Sequence, residues 1–262
     1  MIKKIGFVVL FTTISTVQSF AHDVWVDGYN SSMFKGFIKY EHVFFVPQKI
    51  ENDRIHLFEP LVIIDKDFKS TMLKNGVENG QYNLDKSLDD GTYILKSSYK
   101  PTYSTKNENN KWITGKSKKD ISNAQYCKQI SRFAKSIINI GDDKNDFVTK
   151  PIGQNLEIVP LENPSNFKTG VSFKVKVLLD GKPAQEVALK GTFESFKKEE
   201  FAFSGTTDSK GEIEILPLRG GKWILLTKVV KPYEGKDCDE ISYSSTLSFQ
   251  VKPGLCNRKI SI

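Results

Sequence analysis

The sequence predicts a mainly β fold: two β-sandwich-like domains, the second immunoglobulin-like, with one longer helix near 120–138. Three observations predict it. Apolar and polar residues alternate with period two, most clearly where Val171, Phe173, Val175 and Val177 are interleaved with Ser172, Lys174 and Lys176. Seven short β-rich runs follow one another between Leu156 and Val251, with turns at Asp180-Gly181, Ser209-Lys210-Gly211 and Gly220-Gly221. One stretch, from Asp120 to Ile137, repeats apolar residues every three or four positions and predicts the helix, capped by Asp120 and broken at Gly141-Asp142-Asp143.

The order of elements begins with an export signal. Lys3 and Lys4 precede an apolar stretch from Ile5 to Ile14, and Ser19-Phe20-Ala21 sets small residues at the −3 and −1 positions. That is the pattern of a cleaved secretory signal peptide over residues 1–21, and its apolar core is shorter than the roughly 20 residues a membrane-spanning helix needs. Cleavage after Ala21 makes His22 the first residue and places the protein in the periplasm. Removing 21 of the 262 residues leaves 241, enough for two domains: an N-terminal β domain over 22–150 and a C-terminal immunoglobulin-like sandwich over 151–262, divided near Lys150-Pro151-Ile152-Gly153.

In the first domain, residues 35–40 and 42–46 read as a β-rich run. Residues 54–64 read as another, kinked at Pro60, and Asp89-Asp90-Gly91 as a turn before a strand over 92–98. Residues 104–119 are polar and read as a long exposed connection.

Composition narrows the function. Hydrophobic residues make up 39 % and phenylalanine alone counts 18, so a packed interior is expected. Loss of Lys3 and Lys4 lowers the formal charge from +7 to +5. The lysines are dispersed, without the basic stripe of nucleic-acid binders, so no nucleic-acid partner is expected. No segment after the signal is long and apolar enough for a membrane helix, so stable membrane insertion is not expected. Of the three cysteines, Cys127, Cys238 and Cys256, none has metal-clip spacing; Cys127 and Cys238 form the favoured disulfide, and three unpaired thiols are the alternative.

The chemistry-bearing residues are the histidines. All three, His22, His42 and His56, fall between positions 22 and 56. A terminal His22 offers both an α-amine, which titrates near ~7.7–8.0, and an imidazole. Two further imidazoles make a nitrogen-rich set, suited to nickel, cobalt, copper or zinc rather than calcium or magnesium. Asp23 and Glu41 are nearby carboxylates able to orient the rings. Neither a Ser-His-Asp spacing nor a phosphate loop is present, so a binding protein rather than an enzyme is expected.

The opening His22-Asp23-Val24-Trp25-Val26 resembles the mature His-x-x-Trp start of an exported domain family linked to nickel and cobalt uptake. That family is the periplasmic component accompanying energy-coupling-factor transporters. Tyr40-Glu41-His42 resembles its aromatic-Gly-His element, with Glu41 in place of the usual glycine. Gly153 to Leu161 with Asn163-Pro164 is the most specific match, and Leu179 to Pro183, Thr207 to Gly211 and Gly221-Lys222-Trp223 are similar to its sandwich domain. The resemblance implies two β domains and binding of nickel or cobalt, through His22 and His42, for a membrane metal-uptake transporter; His56 is outside the family pattern. Two other functions share a His start: a periplasmic copper-binding sandwich, and a copper oxygenase with a histidine brace.

Overall fold

A computed structural model describes residues 22–254 except Pro47 and Asp143. The expected signal peptide and Cys256 lie outside the described residues. Strands β1 (Asp23–Asn30) and β2 (Phe34–Glu41) form a hairpin with Asp23 opposite Glu41 and Asn30 opposite Phe34. A Cβ at Gly28 would stand 2.5 Å from Phe34 Cζ, so glycine there lets the buried Phe34 ring anchor the hairpin. Short strands β3 (Val62–Ile64), β4 (Ser70–Met72), β5 (Lys74–Asn75) and β6 (Gln81–Asn83) precede the long β7 (Gly91–Lys106), then β8 (Trp112–Thr114) and β9 (Tyr126–Ile140). The second half contributes β10 (Leu156–Pro160), β11 (Phe173–Leu179), β12 (Lys182–Pro183), β13 (Ala188–Phe193), β14 (Phe203–Thr206), β15 (Glu212–Ile215), β16 (Gly221–Pro232) and β17 (Glu240–Val251). All seven β-rich runs read in this half therefore contain strands.

The expected helix is absent. Residues 126–140 form β9, antiparallel to β7 and parallel to β17. Cover on both sides removes the polar alternation that marks a half-exposed strand, so its apolar residues fall at helix-like spacings. Four isoleucines, at 130, 137, 138 and 140, favour the pleated form. Asp120 closes a single 3-10 turn instead, its Oδ2 accepting from Ser117 N at 2.9 Å and Ser117 Oγ at 2.8 Å. Two smaller differences belong to the loops. Residues 42–46 turn rather than continue β2, and 104–119 contains the β7–β8 hairpin.

Three sheets result. The largest has nine strands, in the order β14-β13-β16-β17-β9-β7-β3-β4 with β8 on β7, and it draws strands from both sides of position 150. Sheets β1-β2-β6-β5 and β10-β11-β12, the latter with β15 on β11, lie against its opposite faces. Neighbouring residues of one strand show this, since successive side chains point to opposite faces. Ile94, Ile137, Leu247 and Phe249 join the core with Leu156, Ile158, Val175 and Val177, whereas Leu95, Ala134 and Ile138 join Val24, Val26, Phe34 and Ile38. The outer edge of β1 is satisfied by β17: Thr246 Oγ1 and Ser248 Oγ donate to the carbonyls of Val24 and Val26, each at 2.7 Å. Cys127 and Cys238 are joined in a disulfide, which ties the start of β9 to the segment before β17.

Candidate metal centre

The β1–β2 register determines which histidines meet. Asp23 faces Glu41, so the next positions outward, His22 and His42, face each other beyond the last pair of the ladder. Their ring centroids are 3.4 Å apart with the planes tilted by 42°. His22 also stacks on Tyr40 at 4.3 Å, and Tyr40 stacks on Tyr99 at 5.8 Å. The guanidinium of Arg132 lies 5.0 Å from the Tyr99 ring and 5.9 Å from the Tyr40 ring. A ladder of rings thus runs from a guanidinium on β9 to two imidazoles at the hairpin end.

Burial pushes His22 down to about 4, and the charges of His42, Arg54 and Arg132 act in the same direction. At neutral pH the His22 ring is therefore uncharged, the form that ligates metals. The two rings sit closer than imidazoles sharing one ion at about 2.0–2.1 Å bonds would, so they must swing apart to admit it. Among the described residues, no group of three or more His, Cys, Asp or Glu side chains is placed to hold a metal. The donor set that fits an ion is two imidazoles plus the α-amine that cleavage before His22 would expose.

His56 does not join this pair. It lies in the exposed 3-10 turn Ile55–Leu57, and its carbonyl accepts from Lys100 Nζ at 3.0 Å. A turn after a loop has no register with the hairpin, so proximity in sequence brings no proximity in space.

The two carboxylates also have other partners than the rings. Strand alternation turns Asp23 and Glu41 to the face opposite Tyr40. Glu41 Oε2 accepts from Trp25 Nε1 at 2.8 Å and from the Phe45 backbone N–H at 3.1 Å. Burial pushes its carboxyl up to about 7, partly opposed by the Trp25 hydrogen bond and the Lys39 charge. Asp23 is paired with Lys228 Nζ at 2.9 Å, and Asp27 with Lys222, so both acids clamp β1 onto β16. Phe45 has φ 64°, an uncommon conformation for a bulky residue. Its N–H bond to Glu41 and the packing of its ring edge-on to Trp25 hold the loop that carries His42. Beside that loop opens a cavity of about 710 Å³, lined by His42, Phe44, Phe45, Phe193, Phe196 and Phe201 among others.

Tyr99, Arg54 and Arg132 are functional candidates that the sequence reading does not single out, and Tyr40 enters it only as the aromatic of the Tyr40-Glu41-His42 element. The available signal is a charge inside an apolar strand, Ile130-Ser131-Arg132-Phe133-Ala134. Such a residue is rarely buried without a task.

No helix among the described residues is long and apolar enough to cross a membrane. Comparison with solved structures gives the D0-D1 domain of intimin (12 % identity, 87 % of this chain and 97 % of that one, TM-score 0.22). It also gives Escherichia coli alpha-2-macroglobulin spanning domains MG0-NIE-MG1 (8 % identity, 89 % and 72 %, TM-score 0.22). At such TM-scores the likeness carries no argument. No curated protein matches the chain. A family profile does match, over residues 19–231, and by that match the chain belongs to the family described as a domain of unknown function, DUF4198.

Proposed function

We propose that this is an exported, periplasmic transition-metal-binding protein that takes nickel or cobalt at its mature N-terminus and passes it to a membrane metal-uptake transporter. The observation that carries the reading is the opposition of His22 and His42, 3.4 Å apart at the hairpin end. Removal of residues 1–21 turns the His22 nitrogen from an amide into an amine, and an amine with two imidazoles makes three nitrogen donors on one side of an ion. Nitrogen donors of intermediate softness select late divalent metals over calcium and magnesium. Three donors leave coordination positions free, as suits a cargo that must be handed on. In this reading the function is binding rather than catalysis.

The test is calorimetry with Ni²⁺ and Co²⁺ on protein whose start at His22 has been verified by intact mass. Submillimolar binding is expected, with loss of at least about 100-fold when one residue is added before His22, since losing even an outer-shell partner costs roughly 10–100-fold. Absence of binding by the correctly processed chain would overturn the reading. Copper heads the affinity order of nitrogen sites, so competition between Cu²⁺ and Ni²⁺ belongs in the same experiment. A preference for Cu²⁺ beyond that order would favour a copper-handling role.

A further inference from the structure

We propose that Arg132 and Arg54 form an anion subsite for the carboxylate of a small organic acid, beside the His22–His42 pair. The inference rests on the metal-binding reading and gives its cargo a chemical class: the ion arrives as an organic-acid complex rather than bare.

Arg132 is 8 % exposed, yet every ion pair among the described residues is made by a lysine. Buried guanidinium groups are ordinarily matched by a carboxylate. Here the two tyrosine rings offer their faces to Arg132, at 5.0 Å and 5.9 Å. Ring faces attract the charge but accept few of the five N–H donors. Arg132 keeps 8 % of its surface open to solvent, and none of its nitrogens is among the sealed, unpartnered side-chain atoms of the described residues. A guanidinium fork matches a planar carboxylate by two parallel hydrogen bonds.

The neighbours point the same way. Tyr40 touches both His22 and Arg132, so one ring joins the imidazoles to the guanidinium. Arg54, half-buried and without an ion pair among the described residues, opens the 3-10 turn that leads into Phe58, whose ring packs edge-on to Tyr40 at 5.4 Å and Tyr99 at 5.3 Å, and its charge acts on both His22 and Tyr99. A divalent ion at the histidines would meet two like charges. A polycarboxylate resolves both conflicts, with one carboxylate on the arginines and another on the ion. Among the described residues no carboxylate is ion-paired to either arginine, and Asp23 and Glu41 point to the opposite face of the hairpin.

The experiment uses citrate as the probe, titrated into processed, metal-free protein and then into protein carrying Ni²⁺. Citrate is expected to bind the metal-free form and to tighten Ni²⁺ binding. Arg54→Gln is expected to weaken citrate roughly tenfold, the scale of one charge-assisted hydrogen bond. Arg132→Gln is expected to weaken it further, with the urea midpoint confirming a folded chain. Arg54→Gln keeps the test decisive should Arg132→Gln not fold. His42→Ala is expected to lose Ni²⁺ but retain citrate. Ni²⁺ binding with no citrate response, or citrate binding unchanged in both arginine variants, overturns this inference and leaves the metal reading standing. Arginine-dependent citrate binding without Ni²⁺ binding supports the subsite and overturns the metal reading. Inorganic phosphate binding more tightly than citrate overturns the carboxylate assignment.

Discussion

The two faces of the nine-stranded sheet are covered by sheets of equal strand number but end differently. On the β10–β11 face, Lys135 and Glu157 are each 1 % exposed and meet at 2.7 Å. Glu157 also accepts from the backbone N–H groups of Ile152, Gly153 and Gln154. Burial drives Lys135 down and the Glu157 charge opposes it, so this face encloses a charge together with its partner. On the β1–β2 face, Arg132 is nearly as buried and lies over two tyrosine rings, without an ion pair among the described residues, while His22 loses its charge at the hairpin end. The contrast separates a polar pair that completes a core from polar groups for which a ligand is proposed.

The largest expected effect breaks the closed face. Glu157→Leu leaves an ammonium and three backbone donors buried without an acceptor, and should lower stability by about 3–5 kcal/mol. Lys135→Met should lose less, because those three N–H groups still stabilise the carboxylate. Urea midpoints at constant slope measure both; equal losses would show that the backbone donors contribute little. Next comes the disulfide. Replacing Cys127 and Cys238 by serine should lower stability by about 2–4 kcal/mol, as for closure of a long loop. Asp239 Oδ2, which accepts from Cys127 N at 2.8 Å, keeps part of that corner in place.

At the open face the order reverses, with a large effect on binding and a small one on folding. His42 is exposed, so His42→Ala should change stability by no more than about 0.5 kcal/mol. Ni²⁺ affinity should meanwhile fall by at least about 100-fold, since ligands matter more than the outer shell. A comparable loss of stability would make His42 a structural residue and remove the contrast between the faces.

How much of this was legible in the sequence follows from the same contrast. Period-two alternation marked the strands that have one wet face, such as β11, and the C-terminal set was read almost to its ends. Strand β9 reads as a helix because it is covered on both faces, and its apolar residues then fit a helix as well as a strand. His22 and His42 were visible as donors, but their opposition required the β1–β2 register. That was within reach: Val24 and Val26 alternate with Asp23, Trp25 and Asp27 before a polar turn at Asn30-Ser31-Ser32. The same register would have turned Asp23 and Glu41 away from the rings. His56, Arg54 and Arg132 were not legible in this way, because a loop turn and a strand distant in sequence acquire their neighbours only from the stacking of whole sheets.

The smallest expected effect is a change in the shape of a pH profile. Glu41 titrates near 7 in the folded chain against an ordinary 4.5, so the native state holds the extra proton between those values. Its contribution is full below about pH 4.5 and is lost as pH rises through 7. His22 titrates near 4 against an ordinary 6.5, so its contribution is full above pH 6.5 and is lost as pH falls toward 4. The two oppose each other between pH 4.5 and 6.5 and flatten the curve there. Glu41→Gln retains an acceptor for Trp25 and Phe45 and removes the first of these contributions. The variant should therefore gain stability over the wild type as pH rises from 5 to 8, with a profile that climbs to pH 6.5 and then levels. Urea midpoints at half-unit pH steps check it. A variant less stable than the wild type at pH 7.5 would mean that the ionised Glu41 carboxylate itself holds Trp25 and the His42 loop.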